Sequence, residues 1–121
     1  MRLMRKRIDC FTFRNAKTDK DNEGVTSRVW GDPMMLTGIM WNGGGRVQEE
    51  KYGARLPMVR NIMLANKKYK EMTKDGKVIY FIDDCELTVG DGLCLSSYGE
   101  PDYIIQAIYP YNHLALELEH V

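Results

Sequence analysis

The side chains that commonly do chemistry are scattered along this chain rather than gathered. Asp83 and Asp84 are adjacent. On a strand, neighbours point to opposite faces, so the pair is a poor acid/base dyad and reads as an exposed turn. His113 and His120 lie on or beside one run. On a continuous strand they would stand ~24 Å apart, too far to share a metal. His113, next to Asn112, reads as the cap of a turn. Cys10, Cys85 and Cys94 form no CxxC or Cys/His cluster, and the odd count argues against a disulfide framework. Acids flank Cys85, which raises a thiol pKa and blunts its reactivity. Cys10 and Cys94 sit in apolar runs and read as small core residues. No serine occupies a GxSxG elbow. The expectation is therefore a non-enzyme, with no catalytic residue, no cofactor and no metal site.

Two stretches suggest binding. Asn42-Gly43-Gly44-Gly45 could cradle a phosphate, but no GK[ST] follows, so it reads as a plain turn. Asn66 to Lys77 carries five lysines and Tyr69. Lysines with an aromatic can contact a nucleic acid backbone. The stretch also reads as a basic loop or frayed helix that is simply solvated.

Any such residue must be positioned by strands. Leu114, Leu116 and Leu118 alternate with Ala115, Glu117 and Glu119, the period of a half-buried strand. Glu117 and Glu119 are expected on its exposed face. Tyr103 to Tyr109 is β-branched and aromatic on both faces, as in a strand buried on both sides. Gly90-Asp91-Gly92, Tyr98 to Asp102 and Pro110-Tyr111-Asn112 punctuate three consecutive antiparallel strands. Upstream, further strands are expected at Ile8–Arg14, Val25–Trp30, Met34–Trp41, Pro57–Ala65 and Val78–Ile82. Asn15–Gly24 reads as an exposed polar loop, and Arg46–Leu56 as a short helix capped by Gly53. Six to eight short strands with at most one or two short helices predict a mainly β chain, a small antiparallel barrel or sandwich.

Composition narrows the class. The 121 residues suit a single domain, and 44% hydrophobic content suffices for a core. The start of the chain is basic without an apolar run, so residues 1–7 are expected to be a flexible N-terminus and not a signal peptide. No run approaches the ~20 apolar residues of a membrane-spanning helix, and a reducing cytoplasm is the expected folding compartment. Net charge is zero, against a surface built wholly for nucleic acid. All 17 Lys and Arg lie at or before Lys77, with 9 acids; the remainder holds 8 acids and no Lys or Arg. Either neighbouring strands neutralise this locally, or the subunit is dipolar and meets its next copy head to tail.

Three pieces carry a family resemblance. They are the Trp-Gly-Asp-Pro step into a long strand (Arg28 to Trp41), YGxxLPM (Tyr52 to Met58), and GDGLCL followed by PDYIIQAIYPYNHLALELEH. In order and spacing the chain resembles the head–tail joining proteins of long-tailed bacteriophages and prophages, also called head-closure, stopper or minor capsid proteins. The resemblance implies a barrel of about six antiparallel strands with long loops. It implies a structural virion protein at the head–tail junction, made in the bacterial host cytoplasm, whose copies form a connector ring. That ring would close the DNA-filled head and dock the tail. The implied partners are the portal–adaptor complex, a tail completion or terminator protein, further copies of the chain and, non-specifically, packaged DNA; no membrane is implied. On the charge pattern, and not from the resemblance, Lys67, Lys68, Tyr69, Lys70 and Lys74 would make the basic contacts, and Glu117 and Glu119 the acidic ones. A tail-completion or other head–tail adaptor protein, or a small OB- or SH3-like nucleic-acid-binding module, remain alternatives.

Overall fold

The computed structural model describes residues 8–20, 24, 26–65, 68–95 and 100–121. The expected flexible segment 1–7, Lys67, and Tyr98 and Gly99 of the expected punctuation lie outside the described residues.

Eleven strands are described. They are β1 (Asp9–Arg14), β2 (Ala16–Lys20), β3 (Thr26–Trp30), β4 (Met34–Asn42), β5 (Val59–Leu64), β6 (Lys70–Lys74), β7 (Lys77–Ile82), β8 (Cys85–Leu87), β9 (Gly92–Cys94), β10 (Tyr103–Pro110) and β11 (Leu114–His120). A helix α1 (Arg46–Tyr52) runs into a 3-10 turn, Gly53–Met58, before β5. Six strands close an antiparallel barrel in the order β1-β4-β5-β11-β10-β9. Closure leaves these six with no free edge. Two sheets stand outside it, the hairpin β2-β3 and the three-stranded β6-β7-β8. The expected fold class is the one observed.

The inward residues follow from the register. Phe11 pairs with Leu36, and Phe13 with Leu93, which in turn pairs with Tyr103. Leu116 pairs with Ile62 on one side and Ile108 on the other. Paired residues share a face, so one alternating set from each strand fills the interior. Leu114, Leu116 and Leu118 are buried there, as their spacing requires. Tyr80, Ile82 and Leu87 add the inner face of the three-stranded sheet to the same core.

Four expectations need correction. Residues 16–20, expected in a loop, pair with β3 instead. Asn15–Gly24 shows no apolar alternation, so period two gave no sign of this strand. Lys70–Lys74, expected in a loop or frayed helix, is a strand, because Asp75-Gly76 is a two-residue hairpin turn. Cys10 is exposed, since Phe11 and Phe13 take the inward positions of β1; Cys94 is buried as expected. β10 is not buried on both sides. Its pairing with β11 slips between Ile105 and Ala107, so Gln106 bulges out and Ile105 and Ile108 both face inward. Among the described residues, no helix is long and apolar enough to cross a membrane.

Candidate interaction surface

The lysine-rich stretch is held by the β6-β7 hairpin. Asp75 and Gly76 have φ of 51° and 78°, the paired positive values of a type I′ turn, which suits the twist of a hairpin. Lys74 and Lys77 flank that turn. Lys70, Met72 and Lys74 share the outer face with their partners Phe81, Ile79 and Lys77. Every residue of β6 is exposed, and Met72 is 55% accessible. Among the described residues, no acid forms an ion pair with Lys68, Lys70, Lys74 or Lys77.

Tyr69 differs from its neighbours. It is half-buried, and its hydroxyl donates to the Tyr111 carbonyl at 2.7 Å. Its ring meets Tyr80 edge-on at 6.0 Å. It anchors the start of the hairpin to the β10-β11 turn rather than presenting an open ring for a base. A cleft of about 320 Å³ lies beside it, between Lys68, Lys70, Phe81 and Asp83. A larger one, about 410 Å³, separates the hairpin's inner side from the barrel, lined by Lys77, Val78, Tyr80, Val89 and Ile108.

The acidic half of the expected surface does not hold. Glu117 points out of the barrel, but α1 lies over it and its side chain is 3% accessible. It accepts hydrogen bonds from Tyr52 Oη at 2.6 Å, Lys51 Nζ at 2.6 Å and Gln48 Nε2 at 2.9 Å. Gln48 also donates to Asn61 Oδ1 at 2.7 Å. Burial pushes the Glu117 carboxyl up, but these donors outweigh it and hold the carboxyl below its ordinary value. Burial and then the same carboxylate push Tyr52 well above an ordinary phenol. Glu119 is mostly covered and bonds Arg55 Nη1 at 3.2 Å. Both acids are bonded within the subunit, so Glu117 is not on the exposed face as expected and Glu119 is only partly so.

Asp91 is the site that sequence reasoning missed. It is fully buried and accepts from Asn15 Nδ2 at 2.8 Å, Ala16 N at 2.9 Å and Thr88 N at 2.9 Å. It thereby ties the base of the β2-β3 hairpin to the turn before β9. Burial pushes its carboxyl up, offset in part by these donors. Its sequence signal was slight: an acid between two glycines, read as an ordinary turn. Burial first, then Asp83 and Asp84, push the Cys85 thiol up. His113 Nδ1 meets the Leu64 carbonyl at 3.0 Å, joining β11 to the end of β5 rather than capping its own turn. Among the described residues, no three His, Cys, Asp or Glu side chains converge.

The class defined by this geometry is a small closed antiparallel barrel with an exposed basic hairpin. Family models, curated proteins and solved structures were compared with the chain, and none matches.

Proposed function

We propose that this chain is a structural virion protein of the phage head–tail junction, a subunit of the connector ring that closes the filled head and docks the tail. The observation that carries the reading is the closed six-stranded barrel itself, on which the three quoted motifs fall in the order the resemblance requires. Arg28 to Trp41 forms most of β3 and β4, Tyr52 to Met58 leads into β5, and the last motif forms β9 to β11. A closed barrel is rigid, and hairpins carried outside it are free for contacts. The basic hairpin would face the neighbours: the portal–adaptor complex, a tail completion protein, the next copy in the ring, or packaged DNA. Asp84, Glu86 and Glu100, exposed acids of the stretch after Lys77, are within reach of a basic neighbour, whereas Glu117 is buried.

Deleting the gene from its phage or prophage tests this. Filled heads should lose their DNA and remain without tails, and the protein supplied from a plasmid should restore tailed particles. Normal tailed particles without the protein would remove the reading.

A further inference from the structure

Closure removes the free edges of the barrel strands, but β6 remains the edge of the outer sheet and, among the described residues, is bonded only to β7. The two-residue turn fixes which of its backbone groups are used. The pair flanking such a turn exchanges both ladder bonds, and the pattern then alternates. Lys74–Lys77, Met72–Ile79 and Lys70–Phe81 are thus the bonded pairs. The N–H and C=O of Glu71 and Thr73 point the other way, to the open edge. An edge of this kind is a template for strand addition.

We propose that the open edge of β6 binds an extended acidic segment of another protein, added as a further strand. Lys70, Met72 and Lys74 stand at alternate positions on the outer face, and Lys77 lies beside them. The complementary segment therefore alternates acid, apolar and acid on that face, opposite lysine, methionine and lysine. Main-chain bonds supply the grip, and the alternate side chains supply the selectivity.

A second copy of this chain fits the edge less well than an acidic segment does. Antiparallel β6 against β6 sets Lys70 opposite Lys74, and like charges directly opposite are unfavourable. On β8, the Glu86 carbonyl already accepts from Asn15 Nδ2 at 2.8 Å. β2 and β3, AKTDK and TSRVW, each carry a net positive charge. The same lysines that disfavour β6-to-β6 pairing select an acidic guest. The inference concerns this edge alone and stands apart from the connector reading.

The test uses the whole protein and a synthetic nine-residue peptide of alternating Glu and Thr with a central Leu. Fluorescence anisotropy should show binding. N-methylating the peptide's edge-facing amides should weaken it at least about tenfold, a loss of ~1.4 kcal/mol. Thr73→Pro should do the same, since it removes an outward N–H without changing charge. Circular dichroism reports whether Thr73→Pro keeps its fold; the methylated peptide needs no variant. Absence of binding overturns the proposal. So does equal binding of the methylated peptide, which would mean that charge alone acts. A single-stranded DNA of equal charge that binds as tightly and displaces the peptide would make the surface a nucleic acid site instead.

Discussion

The Tyr52 hydroxyl donates to Glu117 Oε2 at 2.6 Å, joining residues 65 apart in the chain. This bond explains how a seven-residue helix holds its place. Two turns of helix are too short to persist alone in water. α1 is fixed because Gln48, Lys51 and Tyr52 descend from one face of it onto a single carboxylate of the barrel wall.

The three donors should not count equally. Lys51 is 45% accessible, so its ion pair is partly solvated and its loss is small, about 0–1 kcal/mol for Lys51→Ala. Tyr52 is buried and bonds an ionised acceptor. Tyr52→Phe should cost about 1.5–3 kcal/mol in urea unfolding. The reverse ranking would mean that the ion pair, not the hydroxyl, anchors the helix.

Acid should separate two buried carboxylates with opposite signs. Glu117 lies below its ordinary value, so its stabilisation is complete above ~4.3 and disappears as pH falls through the lower folded value. Asp91 is raised, so the folded state binds its proton first. Its contribution favours the fold at low pH and is lost as pH rises from ~3.9 through the raised value. Across this acid range, Glu117→Gln should flatten the loss on acidification. Asp91→Asn should steepen it, by removing a group that opposes the loss. Unfolding free energies measured against pH check both signs.

Leu116 tests the barrel itself. It is 1% accessible and sits between Ile62 and Ile108. Leu116→Ala should cost about 2–5 kcal/mol through lost burial and the cavity left behind. A loss under ~0.5 kcal/mol would mean the side chain is not enclosed.

Much of this was readable from period two. The alternation of Leu114, Leu116 and Leu118 fixes the face of β11, and Gly90-Asp91-Gly92 marks the turn into β9. Alternation says which way a residue points, not what lies over it, so Glu117 was correctly aimed outward and wrongly left exposed. The missing clue lay elsewhere: Gln48, Lys51 and Tyr52 fall at i, i+3 and i+4, one polar stripe of a short helix. The bulge at Gln106 was hidden because both faces of β10 are apolar, and a slip between them leaves no mark. The β6-β7 hairpin was announced by Asp75-Gly76, but the lysines around it drew the reading towards a loop.

Gly38 provides the sharpest test of strand register. It pairs with Asp9 on one side and Leu64 on the other. A methyl group there would stand 2.5 Å from the Met63 carbonyl oxygen, 3.2 Å from Leu64 Cα and 3.3 Å from Ile62 Cγ2. Two of these three are main-chain atoms in a closed barrel, which cannot swing aside as a side-chain tip would. Gly38→Ala must therefore push β4 and β5 apart, and overpacking of this kind costs about 1–3 kcal/mol. Gly44 is the control, since a methyl group there meets nothing within 4 Å. Gly44→Ala should stay within about 0.5 kcal/mol of the parent. Urea unfolding of the two variants side by side measures the difference. Equal stabilities would mean that β5 does not pass close behind Gly38, and the pairing of Gly38 with Leu64 would be wrong.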